Sequence, residues 1–71
     1  MIQQIKILLD AVPFVPFKIR TSDGREYVVP TGDHAYIPPT TSGVVVSDDN
    51  GLFYILSGSQ ITSVETANLV T

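Results

Sequence analysis

The chain has 71 residues, no cysteine and one histidine, and its four basic and seven acidic side chains leave a net charge of −3. That length supports one domain, which buries roughly 60% of its unfolded surface, and the lack of cysteine excludes a disulfide framework or a thiolate metal site, leaving self-association as the route to added stability. A charged fraction of 15% argues against disorder and gives a surface prone to association, while the negative net charge gives no overall attraction to nucleic acid or anionic membrane.

The first element is an amphipathic helix over about residues 2–12. Ile2, Ile5, Leu8, Leu9 and Val12 recur at helical spacing, with Gln3, Gln4, Lys6 and Asp10 on the opposite side. Pro13 ends it, and Pro13-Phe14-Val15-Pro16-Phe17 forms a stiff extended connector. Residues 17–22 alternate apolar and polar as a half-covered strand, Phe17 and Ile19 against Lys18, Arg20 and Ser22. Asp23-Gly24 suits a two-residue type I′ hairpin returning into a strand over 25–29. Pro30 breaks the ladder, Thr31-Gly32-Asp33 is turn chemistry, and His34 to Ile37 is a short extended piece before Pro38-Pro39. This middle stretch is either one bent strand or a strand, a bulge and a stub.

Strands over 43–47 and 52–56 are joined by Asp48-Asp49-Asn50-Gly51, whose Asn-Gly pair is a second hairpin signal. Their apolar residues run consecutively, which predicts cover on both faces, one from the domain's own core and the other from the helix or another subunit. The last strand spans 61–65, and the tail after Thr66 is expected to fray. Between the last two strands, Ile55-Leu56-Ser57-Gly58-Ser59-Gln60-Ile61 leaves a corner too short for an ordinary loop, so one strand bends into the next. The expected fold is therefore mainly β, an N-terminal helix followed by a five-stranded, strongly bent antiparallel barrel over residues 1–71.

That order of elements resembles the Sm and Hfq family of small SH3-like barrels, and the segment from Ile55 to Ile61 is similar to the family's second motif, in which hydrophobic residues precede a Gly-containing corner. The chain also resembles small bacterial proteins with a Pro-Phe-x-Pro-Phe and Asp-Gly-Arg pattern, a group that implies no function. The Sm resemblance implies a homo-oligomeric ring, the fourth strand of one subunit pairing with the fifth of the next. The residues for such an interface are Val44, Val45, Val46, Phe53, Ile55, Ile61 and Val64. It also implies single-stranded RNA near the pore, held by Asp33, His34 and Tyr36 and by the corner residues Ser57, Gly58 and Ser59. The family's corner arginine is matched by Ser57, and the Lys-His of the Hfq version by Gly58 and Ser59, which supply neither charge nor stacking.

Each of these residues also has a plainer reading. His34 can serve a turn, Lys18, Arg20 and Arg25 can contact phosphates or form a solvated face with Glu26, and Tyr27, Tyr36 and Tyr54 can stack or fill half-buried strands. Aligning Gly51 with the invariant glycine of a calcium loop places Val46 at the first ligand position and Ser57 at the bidentate one, so Asp48 to Gly51 reads as a turn. Neither a nucleophile elbow, a phosphate-cradling glycine pattern nor a histidine-rich metal set is present in the sequence, so no enzyme activity, cofactor or metal is expected. Without an apolar run of spanning length or a signal pattern, a cytoplasmic location is expected. The competing function is an SH3-like protein-interaction or scaffold module that binds no nucleic acid.

Overall fold

The structure is a computed structural model that describes residues 2–39 and 42–66. Helix α1, Ile2–Asp10, buries Ile5 completely and packs Ile2, Leu8 and Leu9 against the same core. It closes with a tight turn in which the Ala11 amide donates to the Leu8 carbonyl at 3.4 Å. The helix is two residues shorter than expected. Pro13 disfavours helical backbone at the residue before it, so Val12 falls outside the helix and is 95% exposed instead of joining the apolar face.

Six strands follow: β1 Phe17–Thr21, β2 Glu26–Val29, β3 Ala35–Tyr36, β4 Gly43–Ser47, β5 Phe53–Ser57 and β6 Ile61–Thr66. They form two antiparallel sheets of three strands, ordered β2-β1-β6 and β3-β4-β5. The single five-stranded sheet expected from the sequence is thus divided. Pro30 has no amide hydrogen to continue the ladder, and a 3-10 turn at Gly32–His34 separates β2 from β3. Among the described residues no strand ladder joins the sheets, so a closed barrel is not what the hydrogen bonds make. The expected fraying tail after Thr66 lies outside the described residues.

The core sits between the sheets and under α1: Ile5, Phe17, Ile19, Val29, Val44, Val46, Leu56 and Ile61 are buried, and Phe14 packs on Phe17 with ring centroids 5.9 Å apart. Strand alternation puts Phe17, Ile19 and Thr21 inside and turns Lys18 and Arg20 toward the surface. Within the chain the same alternation covers one face of β4 and β5 and leaves the other largely open. Val44, Val46 and Leu56 point inward, whereas Phe53 and Ile55 are 73% and 81% exposed.

The first hairpin loop is one residue longer than expected, and the second, within the expected Asp48 to Gly51 connection, has the same form. In the first, Thr21 N–H donates to Arg25 O at 3.1 Å and Gly24 N–H to Thr21 O at 3.0 Å; in the second, Asp48 N–H donates to Leu52 O and Gly51 N–H to Asp48 O. Only the third loop residue has a positive φ, +85° at Gly24 and +84° at Gly51. These are three-residue loops, a turn closed by glycine in the left-handed region, and not two-residue type I′ turns. Aspartate completes each loop: Asp23 Oδ1 accepts from Arg25 N–H, and Asp48 Oδ1 accepts from Asn50 N–H and Leu52 N–H. No helix among the described residues is long and apolar enough to cross a membrane.

Candidate functional site

The register of the second sheet sets Tyr36 opposite Val45 and Val45 opposite Ile55, with Phe53 opposite Ser47 and Ser57 opposite Gly43. These residues share the outward face, which carries no charged side chain. Tyr36 is 60% exposed there, with Val45 between it and the exposed Ile55. Among the described residues strand β5 pairs only with β4, and its other edge opens on a polar cleft of about 350 Å³ lined by residues that include Thr21, Asp23, Arg25 and Gln60. Of the residues expected to bind another subunit, Val44, Val46 and Ile61 are buried in the chain's own core, and Val64 is partly buried against it. Val45, Phe53 and Ile55 form the outward set.

His34 lies at one end of this sheet. Its Nε2 is 2.8 Å from Asp49 Oδ1 and its Nδ1 is 2.8 Å from Thr31 Oγ1. A carboxylate only accepts, so Nε2 carries a proton, and in the neutral ring Nδ1 accepts from the Thr31 hydroxyl. Thr31 Oγ1 in turn accepts from the Asp33 amide at 3.3 Å. Both imidazole nitrogens are engaged, and the ring links the 3-10 turn to the β4-β5 hairpin.

The corner residues occupy the opposite end. Ser57 caps a 3-10 turn at Gly58–Gln60, its hydroxyl accepting from the Ser59 amide while Gln60 Oε1 accepts from the Ser57 amide at 3.3 Å. The Gly58 amide donates to Ser42 O at 2.8 Å. Ala35 is level with Tyr54 through Val46, and continuing that register by one residue sets His34 level with Ser47 and Phe53, so Ser57 lies four residues further along β5, about 13 Å at the usual rise of a strand. The structure therefore keeps Asp33 and His34 apart from Ser57, Gly58 and Ser59, and Tyr36 stands on the sheet face between them.

The basic residues are gathered elsewhere, on the outward face of the first sheet. Lys18 Nζ is 3.4 Å from Glu26, and Arg20 reaches Glu26 at 2.7 Å and Glu65 at 3.2 Å. Arg25 sits 3.7 Å from Asp23 in its own hairpin. Hydrogen bonds from Thr21 and from the Arg25 amide hold the Asp23 carboxyl below the ordinary aspartate range.

Of the three tyrosines that the sequence offers for stacking, two come together near His34 and Asp49. Tyr27 and Tyr54 pack with centroids 5.2 Å apart at 58°, and the Tyr54 hydroxyl donates to Asp48 Oδ2 at 3.3 Å. Burial and the neighbouring Asp48 push the Tyr54 hydroxyl above the ordinary tyrosine value. The rings border a cleft of about 480 Å³ between β2 and the β4-β5 hairpin. The tyrosines were legible as strand residues, but their contact depends on how the two sheets meet. Among the described residues no group of three or more histidine or acidic side chains converges as a metal site. Comparison with protein-family models, curated proteins and solved structures returns no match.

Proposed function

We propose that this protein is a non-catalytic, self-associating interaction module built on an Sm-like barrel, in which β2 and β3 are the halves of one bent strand. The observation that carries the reading is the outward face of β3-β4-β5, with Tyr36, Phe53 and Ile55 exposed around a half-buried Val45 in one uncharged patch beside the free edge of β5. Edge strands of solitary proteins are commonly blunted by charge, proline or a covering element, and the outward residues of β5 are Phe53, Ile55 and Ser57. β6 pairs only with β1 among the described residues, so β5 of one copy has a free strand edge to join on the next. Joining two different edges is a heterologous contact, which closes into a ring when the rotation allows. Covering Phe53 and Ile55 contributes about 1.5–3 kcal/mol each when burial is complete. The compartment proposed with this reading is the cytoplasm.

Single-stranded RNA is the second reading, favoured by the exposed Tyr36 and Phe53 rings, on which bases can stack. Phosphate contacts have less support, because Lys18, Arg20 and Arg25 are each held by a carboxylate. The test is the solution mass by light scattering, with and without oligouridine at low and high salt. The wild-type chain should give a discrete mass of several subunits, and Ile55→Asp, placed where the side chain is already exposed, should give folded single chains. A wild-type monomer at about 100 µM, well above the micromolar affinities of stable association, would overturn self-association. Oligouridine binding that fades with salt and with Tyr36→Ala would favour the RNA reading.

A further inference from the structure

The ion pairs divide the chain's charge unevenly between its two ends. Lys6 is held by Asp10, Lys18 and Arg20 by Glu26, Arg20 also by Glu65, and Arg25 by Asp23. All four cationic side chains and four of the seven carboxylates are accounted for in this way. Among the described residues the remaining three, Asp33, Asp48 and Asp49, have no lysine or arginine partner, and they equal the net charge of −3. They lie on two neighbouring segments joined by one contact. Asp33 adjoins His34, His34 reaches Asp49 at 2.8 Å, and Asp49 follows Asp48.

The 480 Å³ cleft lies at this end, with Asp48 and Asp49 on its margin and Tyr27, Tyr54, Val28 and Pro30 among its lining residues. Its volume falls in the range of ordinary ligand sites. One wall is β2, which among the described residues pairs only with β1 and so has a second edge without a strand partner there. Arg25 also lines the cleft, and Asp23 holds it at 3.7 Å.

We propose that this cleft binds an extended segment of another polypeptide rich in arginine or lysine. The cationic heads face Asp49 on the cleft margin, with Asp48 beside it and Asp33 on the turn that adjoins the cleft, and the aliphatic stems and guanidinium planes lie on the tyrosine pair, whose ring faces attract cations. The peptide backbone runs along the open edge of β2, the usual mode of strand addition. Several cations spaced along a chain suit this arrangement better than one metal ion, because the carboxylates do not converge. The proposal is independent of self-association, which uses the outward face of the other sheet.

The experiment titrates fluorescein-labelled tetra-arginine peptide into the full chain by anisotropy, with amide chemical shifts recorded in parallel. Spermidine and a tetra-glutamate peptide are the comparison ligands. Tetra-arginine should bind with its largest shifts at Tyr27, His34, Asp48, Asp49 and Tyr54. Asp33→Asn combined with Asp49→Asn, both at exposed positions, should weaken it by at least about threefold, the scale of two exposed charge pairs. Tyr27→Leu should weaken it further while tetra-glutamate stays unbound. Shifts centred on another face, affinity unchanged in the double variant, or spermidine competing as strongly as the peptide would each overturn the proposal, the last because it would show attraction to any polycation. Chemical shifts that map the peptide to the cleft of a monomeric wild-type protein would uphold it while sinking self-association.

Discussion

Gly58→Ala isolates what the corner between β5 and β6 does for the fold. A Cβ at position 58 would lie 2.5 Å from Ser42 O and 3.1 Å from Ile2 Cγ1, and the nearer contact is with backbone, which cannot rotate away. The same carbonyl accepts the Gly58 amide at 2.8 Å. Relief of the clash moves the two segments apart and weakens that bond. Overpacking costs about 1–3 kcal/mol and the hydrogen bond about 1 kcal/mol, so the substitution should destabilise by about 2–4 kcal/mol. A domain of this length holds about 4–11 kcal/mol in total. With a urea slope of about 1 kcal/mol/M, the midpoint should fall by about 2–4 M in a denaturation followed by circular dichroism. A midpoint within about 0.5 M of wild type would refute the reasoning, since it would mean that Ser42 retreats freely and the corner is not held by that contact.

Ile5→Ala removes the one fully buried side chain of α1 and should cost about 2–5 kcal/mol, read as a lower thermal midpoint; an unchanged midpoint would mean that the helix is a dispensable cover. Tyr54 gives a pH test. Because the fold favours the protonated hydroxyl, its contribution to stability is intact below the unfolded value of about pH 10 and is lost as pH rises through the higher folded value. Absorbance titration of the phenolate should show one late tyrosine in the wild-type protein, and Asp48→Asn should bring it to lower pH. A late tyrosine that persists in Tyr54→Phe would assign the shift to another ring.

The elements of this fold were largely legible because their periods differ. Isoleucine and leucine at helical spacing mark α1, alternation marks β1, and Asp23-Gly24 and Asn50-Gly51 mark both reversals. The exact loop type was not legible, since a glycine serves equally at the second residue of a two-residue loop and at the last of a three-residue one. Val44-Val45-Val46 concealed its alternation, because three consecutive valines look the same whether one face is covered or both. The candidate site was less accessible. Asp33, His34 and the corner serines were grouped by resemblance, yet the length of β5 holds them apart, and that distance follows only from the register. Glu26 beside Lys18 and Arg20 was legible from the first hairpin, but the pairing of Arg20 with Glu65, 45 positions away, requires knowing that β1 lies between β2 and β6.

That central position of β1 has a kinetic side. Its pairing with β2 closes a loop of a few residues, whereas its pairing with β6 must bring together segments such as Arg20 and Glu65, 45 positions apart. Closure entropy grows with the logarithm of loop length, so the long closure costs about 2 kcal/mol more than a hairpin. The two hairpins are therefore the early structures, and the docking of β6 is the late event that sets the folding rate. Until it occurs, the far edge of β1 is bare, and a partly folded chain offers strangers a different strand from any that the finished protein presents.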